Sequence, residues 1–453
     1  MLISYPEEAV VNTTLHRRNF LKLTACAVMA TIGPRRSHAN TEASQDERPN
    51  IVLIMADDLG YGDIGCYGGW IPTPNIDALA KNGMRFTDYH SNGPVCSPTR
   101  AALLTGRYQQ RCGIDAVVTA NGPARETGMA QKETTFAEVL KQRGYVTGLF
   151  GKWHVGYRVE FNPTKQGFDE FIGYVSGNVD YHTHIDQAQI ADWWKDDEKR
   201  PEKGYVTDLI TKHAVDFLHR HKDEPFCLYL PHEAPHYPYQ GREDPPERLP
   251  GGRKGVKTKG PQIKRAYREM VEIMDQSVGH VVETIKMLGL QRNTFIIFCS
   301  DNGANKQGAN TPLRGSKGSL WEGGHRVPAI ACWPGRIKPS TTCDQTVLGM
   351  DLFPTMASAA KAGLPAGLDL DGSDLLGLLT RGARLPERTL FWAYKNQQAV
   401  RKGPWKLLIQ DDTERLFNLD NDLGEQNDLA ARHPERVTSL RAALVAWKCD
   451  VSP

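Results

Sequence analysis

Four short apolar runs in this chain each end in a cluster of polar residues. Ile51–Ala56 runs into Asp57-Asp58, and Tyr145–Phe150 into Gly151-Lys152-Trp153-His154. Phe226–Leu230 runs into Pro231-His232-Glu233-Ala234-Pro235-His236, and Thr294–Cys299 into Ser300-Asp301-Asn302-Gly303. Continuous apolar runs of this length suit strands buried on both faces. Helical periodicity lies between them, over Thr134–Arg143 with a threonine placed to cap it, Asp208–His221 and Ile263–Leu288. Strands alternating with helices predict an α/β fold with a large, mostly parallel sheet sandwiched by helices. In such sheets ligands bind outside the carboxyl ends of the strands. The four polar clusters are therefore expected near one another.

The chain has 453 residues, enough for a large core and one smaller subdomain. The texture changes near residue 385. Thr389–Tyr394 and Ala399–Leu408 read as strands and Glu435–Trp447 as an amphipathic helix. The expected organisation is a catalytic domain over 40–384 and a C-terminal subdomain over 385–453. A formal net charge of +2 gives no argument for nucleic-acid or membrane-surface binding.

Arg17-Arg18-Asn19-Phe20-Leu21-Lys22 precedes the apolar stretch Leu23–Gly33, and Ser37-His38-Ala39 has the form of a cleavage site. This order reads as a twin-arginine export signal over 1–39. The apolar run is too short to span a bilayer, and no later segment qualifies as a transmembrane helix. The expectation is a protein exported by the bacterial twin-arginine machinery to the periplasm or beyond. Of nine cysteines, Cys26 lies in the leader, and no Cys-x-x-Cys pair suggests a zinc ribbon or redox site. Export permits one or two disulfides, with pairing open. Cys227, Cys299 and Cys332 fall inside apolar runs and read as buried small hydrophobes.

Asp57, Asp58, Asp301 and Asn302 bring three carboxylates and an amide oxygen to the strand ends. Such a group repels itself unless a cation sits among its members. All-oxygen ligation suits a hard divalent ion, calcium or magnesium, rather than zinc. Lys152 and His154 alternate, so both face one side of an extended segment with Trp153 on the other. No second cluster of His and Asp ligands provides for a two-metal site.

The segment Gly93-Pro94-Val95-Cys96-Ser97-Pro98-Thr99-Arg100, with Thr105-Gly106-Arg107 downstream, resembles the sulfatase signature Cys-x-Pro-Ser/Thr-Arg followed by Thr-Gly-Arg. Gly-Lys-Trp-His-Val-Gly at 151–156, Leu313–Gly318 with Trp321–Gly324, and Pro235-His236-Tyr237-Pro238 match further motifs of that family. The resemblance runs from Asn50 to about Leu429. It implies an alkaline-phosphatase-like fold, with a C-terminal subdomain made of a small antiparallel sheet and a helix. It further implies that a maturation enzyme oxidises Cys96 to formylglycine. Calcium rather than magnesium would be held by Asp57, Asp58, Asp301, Asn302 and the residue-96 oxygen. Arg100, one helical turn after Cys96, would hold the formylglycine. Lys152 and Lys317 would bind the sulfate. Asp301 and the metal would activate one hydroxyl of the hydrated aldehyde, and His154 would take the proton of the second. His236 would serve the leaving group with Lys317, with His232 as competitor for that role.

The implied activity is hydrolysis of sulfate monoesters, of a small molecule or a glycan, with a sulfated carbohydrate leading. A phosphonate or phosphate ester hydrolase with the same apparatus is one alternative. A silent glycan-binding relative is another, and the intact set of ten site residues argues against it. Trp193-Trp194, Asp180–His184 and the basic stretch 242–264 lie between the motifs. They read equally as substrate-recognising inserts or as packing and solvated surface.

Overall fold

Strand β1, Asn50–Ala56, is buried along its whole length, and it organises the molecule. Ile51, Leu53 and Met55 enter one apolar core, and Val52, Ile54 and Ala56 enter another. The period-two alternation of a strand thus feeds both faces of the sheet. The computed structural model describes residues 48–452. The segment read as an export leader, the cleavage site expected in it and the first residues assigned to the catalytic domain lie outside the described residues.

Nine further strands complete the central sheet: β2 (Met84–Phe86), β3 (Val146–Lys152), β4 (Glu170–Tyr174), β5 (Trp194–Lys195), β6 (Glu198–Lys199), β7 (Phe226–Pro231), β8 (Thr294–Ser300), β9 (Ala329–Cys332) and β10 (Thr341–Cys343). Their order is β10-β2-β9-β8-β1-β7-β3-β4-β5-β6. The five strands from β8 to β4 are mutually parallel, with Ile51 opposite Cys227 and Phe295. Antiparallel pairings join β9 to β8 and to β2, and close the other edge at β5 and β6.

One face is covered by α1 (Pro74–Lys81), α4 (Val206–Arg220) and α5 (Pro261–Met287), which bury Leu79, Ile210, Phe217, Met270 and Met274. The other carries α2 (Cys96–Thr105), α3 (Phe136–Gln142) and α6 (Leu352–Ala359), burying Leu103, Leu140 and Phe353. The fold is therefore the expected α/β sandwich. The cap of α3 is Thr135 rather than Thr134. Thr135 Oγ1 accepts from Glu138 N at 3.2 Å, while Glu138 Oε2 accepts from Thr135 N at 2.7 Å. This reciprocal box satisfies two amides that the helix leaves unpaired. No helix among the described residues is long and apolar enough to cross a membrane. The eight described cysteines are free thiols, and Cys227, Cys299 and Cys332 are buried.

Four antiparallel strands, β11 (Thr389–Tyr394), β12 (Gln397–Lys402), β13 (Trp405–Gln410) and β14 (Thr413–Asn418), form a second sheet in that order. The run read as one strand over 399–408 is two, because Gly403, at φ 56°, turns the chain within it. Helix α7, Pro434–Val451, packs on this sheet through Leu440, Leu444 and Trp447. Their core continues into Val95, Ala102 and Tyr108, beside the start of α2.

Buried ion pairs fix the same junction. Lys406 Nζ lies 2.8 Å from both Glu322 and Glu425, and Arg401 lies 2.8 Å from Asp88. His90, Glu322 and His325 bring three potential metal ligands together here. Their atoms are already engaged: His90 pairs with His325 at 2.9 Å and with Asp88 at 2.8 Å, and Glu322 is held by Lys406 and Arg326. We therefore assign this cluster to docking of the small sheet. Lys406→Met leaves buried Glu425 without a cation and Glu322 with Arg326 as its nearest remaining one. It should lower stability by roughly 3–5 kcal/mol, read as a lower urea midpoint. Adding Glu322→Gln and Glu425→Gln should recover part of that loss.

Candidate active site

Because β1, β3, β7 and β8 run parallel, their polar ends meet at one edge of the sheet. Asp57 and Asp58 follow β1, and Asp301 and Asn302 follow β8, all fully buried. Asp58 and His154 both adopt positive φ, 66° and 61°. That region is unusual outside glycine, and such strain concentrates at functional sites. Cys96 opens α2, every residue of which is buried. Lys317 is pinned to the same turn by Gly318 N donating to Pro94 O at 2.8 Å.

Three cations face the three carboxylates. Arg100 donates from Nη2 and Nε to Asp301 Oδ2, at 2.9 and 3.2 Å, and from Nη1 to the Lys152 carbonyl at 3.1 Å. Its hydrogen bonds thus go to Asp301 and the β3 terminus and not to residue 96. Lys152 Nζ donates to Asp57 Oδ2. Lys317 Nζ lies 2.6 Å from Asp58 Oδ1, which also accepts from Asn302 Nδ2 at 2.8 Å.

The titration of each acid follows its partners. Burial pushes Asp58 up, but Lys317 and His236 outweigh it and hold its carboxyl below the usual range. Asp301 rises to about 6 through burial and the neighbouring Asp57, against Arg100 and Lys152. Burial pushes the Cys96 thiol up even though Lys152 and Lys317 oppose it. A reactive cysteine thiolate needs the opposite shift.

The histidines divide by tautomer. His154 Nε2 lies 3.0 Å from the Val118 carbonyl, an acceptor only, so Nε2 carries the proton and the buried Nδ1 is bare. His236 Nδ1 lies 2.7 Å from the Tyr237 carbonyl, which leaves Nε2 bare, 3.8 Å from Asp58 Oδ2. Burial lowers both well below the ordinary range, helped by Lys152 at His154 and by Lys317 at His236. His232 turns away from this cluster, with Nε2 at 3.4 Å from Ser277 Oγ on α5, and burial takes it down to about 4.

Asp57 Oδ1 and Asn302 Oδ1 are buried and have no hydrogen-bond partner. Orphaned acceptors of this kind are costly unless something satisfies them. Ligand atoms of Asp57, Cys96 and Asp301 lie within 4.8 Å of one another, as do those of Asp57, Asp58 and His236. The donor set fits a hard divalent cation.

Asn305 was invisible from the sequence: its Nδ2 donates to Asp58 Oδ2 at 3.1 Å and its Oδ1 accepts from Tyr239 at 3.0 Å. The only signal was its place three residues after Asn302. Trp193 and Trp194 are buried, one stacked on His184 at 4.5 Å and the other bonded to Asp192 at 2.6 Å. They are packing. Asp180 Oδ2 likewise accepts the backbone N–H groups of Glu247 and Arg248 at 2.7 and 2.9 Å. In the basic stretch, Arg242 pairs with Asp208 at 2.7 Å and Lys257 with Glu247 at 3.8 Å, as on a solvated surface.

The family model described as Sulfatase matches residues 49–362, which include every residue of this cluster. The chain belongs to the sulfatase family. Mouse N-acetylgalactosamine-6-sulfatase is 34% identical to it over 395 residues, covering 80% of this chain and 72% of the relative. Human arylsulfatase A is 37% identical over 393 residues, covering 79% and 74%. The solved structure of Ps i-CgsB in complex with k-i-k-neocarrahexaose superposes with a TM-score of 0.80 at 31% identity, covering 88% of this chain and 92% of that one. The architecture of this sulfatase is alkaline-phosphatase-like, and its activity is that of a sulfuric ester hydrolase.

Proposed function

We propose that this sulfatase hydrolyses sulfate monoesters of carbohydrates through formylglycine made from Cys96, with one calcium ion at Asp57, Asp58, Asp301 and Asn302. One observation carries the reading. A buried cysteine opens α2 with its side-chain ligand atom within 4.8 Å of carboxylate oxygens of Asp57 and Asp301. An oxygen at residue 96 would complete the all-oxygen donor set of a hard cation, whereas sulfur is a poor ligand for such an ion.

When present, calcium supplies Lewis acidity, and hydrated formylglycine supplies two hydroxyls on one carbon, one to attack sulfur and one to release the product. The chain's own side chains do the rest. Arg100 holds Asp301 in place through two hydrogen bonds, and Lys152 and Lys317 present positive charge where the ester's non-bridging oxygens lie. The bare Nδ1 of His154 accepts a proton inside the site. His236 Nε2 and Lys317 Nζ converge on Asp58 from the side where the alcohol departs. Acid–base assistance of this type contributes roughly a hundredfold to ten-thousandfold.

Charge supports sulfate over phosphate. Three carboxylates are matched by three cations, so a divalent ion adds two positive charges. A singly charged sulfate ester with an ionised nucleophile offsets them, whereas a phosphate dianion with the same nucleophile brings three negative charges and exceeds them. The named substrate of the mouse relative and the oligosaccharide in the Ps i-CgsB complex support a sulfated carbohydrate. The sequence of the first 39 residues supports export by the twin-arginine route, and the Cys96 motif supports a formylglycine-generating maturation enzyme as partner.

Protein produced with a formylglycine-generating enzyme should release sulfate from sulfated oligosaccharides, and its Cys96 peptide should carry the mass of the aldehyde. Full activity with an intact thiol, or in Cys96→Ala, refutes the nucleophile. Phosphate or phosphonate esters turned over faster by orders of magnitude refute the substrate class.

Chelation should abolish activity and lower the thermal midpoint, and calcium should restore both. Asp57→Asn should remove the calcium-dependent rise in midpoint. Restoration by zinc alone would contradict the ligand set.

With Nε2 taking up a proton beside Asp58 as the ester binds, His236→Ala should cost roughly a hundredfold more on sugar sulfates than on aryl sulfates, whose leaving groups need no proton. His232→Ala should show no such difference. Equal losses on both substrates in His236→Ala would remove the leaving-group role.

A further inference from the structure

Among the described residues two aromatic side chains are exposed, Trp70 at 36% and Tyr237 at 40%. Trp70 is covered: Lys264 Nζ sits 4.8 Å over its ring, and its Nε1 donates to Asp63 Oδ1 at 2.9 Å. Tyr237 is different. It directly follows His236, and one face of its ring lies on the imidazole, with centroids 4.5 Å apart and planes at 26°. With that face covered, its exposure belongs to the opposite face and the ring edge.

The residue is held through its backbone and through its hydroxyl. Its carbonyl accepts from His236 Nδ1 at 2.7 Å, and its hydroxyl is bonded to Gln187 Nε2. Gln187 stands on a braced turn. Asp186 Oδ1 accepts from Ala188 N at 2.8 Å and Ile190 N at 2.9 Å, and Asp186 Oδ2 pairs with Arg125 at 3.0 Å. Isolated bridges join Val179 to Asp186 and Ile185 to Ala191.

We infer that Tyr237, clamped by Gln187, is the platform on which the sugar bearing the sulfate stacks. This rests on the carbohydrate reading above. The ester oxygen of a bound substrate lies beside His236 Nε2 and Lys317, so the group attached to it projects past the His236 ring. The open aromatic face adjoining that ring is Tyr237. A pyranose presents a face of C–H groups to an aromatic ring and hydroxyls at its edge, and the Gln187 amide stands at the corresponding edge of the tyrosine. A ring already locked in place binds at small entropic cost.

The test compares two constants in the matured enzyme: KM for a sulfated saccharide, and Ki for inorganic sulfate as competitive product. The saccharides are N-acetylgalactosamine 6-sulfate and a carrageenan hexaose. Sulfate probes the anion site alone, and the saccharide probes that site together with the platform. Tyr237→Ala should raise KM for the saccharide about tenfold, the worth of one aromatic contact, and raise Ki for sulfate by far less. Tyr237→Trp should recover most of the loss, and Gln187→Ala should fall between. If KM and Ki rise together, Tyr237 only orders His236 and the platform is overturned. An unchanged KM overturns it as well, with the carbohydrate reading intact. If wild-type enzyme cleaves 4-nitrophenyl sulfate and neither saccharide, the carbohydrate reading falls and the platform with it.

Discussion

Three carboxylates share one fully buried cluster in this sulfatase, and the placing of their counter-charges governs much else in the fold. Asp57, Asp58 and Asp301 cannot all ionise in a dry site without cations within reach. Each cation arrives by a different structural route. Arg100 reaches Asp301 because α2 is buried on every side. Lys152 reaches Asp57 because β3 runs parallel to β1 with only β7 between them. Lys317 reaches Asp58 because its loop is tied to the turn before Cys96. The upward shift of Asp301 and the downward shift of Asp58 express one balance, in which the carboxyl beside Asp57 bears the repulsion and the one beside Lys317 is relieved of it.

Bringing Lys152 and His154 to that cluster also requires the backbone to come unusually close. Gly151 has φ 132°, and a Cβ there would lie 2.1 Å from the Pro231 carbonyl oxygen. Gly173, on the next strand, would meet the Gly151 carbonyl oxygen at 2.0 Å. No side chain fits at either position, so strand packing and site geometry are specified together. The small C-terminal sheet contributes at one remove: its core meets Val95 and Ala102, and so it braces the helix that carries Cys96 and Arg100.

The strand ends were legible because each strand is a contiguous apolar run that stops at polar residues, a signal contained within about ten residues. The direction of Arg100 was not. A four-residue spacing places it one turn from Cys96, but its hydrogen bonds depend on Asp301, two hundred residues later. His232 and His236 share one proline-rich turn with no periodicity to separate them. What separates them is Ser277 on a distant helix and Asp58 just past the end of another strand. Trp193 and Trp194 read equally as sugar-binding or packing, because their partners, His184 and Asp192, carry no pattern. Asn305 sits in an irregular loop, where spacing says nothing about which carboxylate it meets.

The central position of β1 has a consequence in time. Its neighbours are β7 and β8, so a chain growing from its N-terminus carries Asn50–Ala56 unpaired until residues 226–231 and 294–300 have been made. Contacts so distant along the chain close late. Cys96 is 3% exposed in the finished molecule, enough for a small ester group but not for another protein, and its helix is enclosed by elements that also depend on those late strands. Any other enzyme that must reach this side chain has only the interval between synthesis and closure of the sheet, and the order of strands in the gene sets how long that interval lasts.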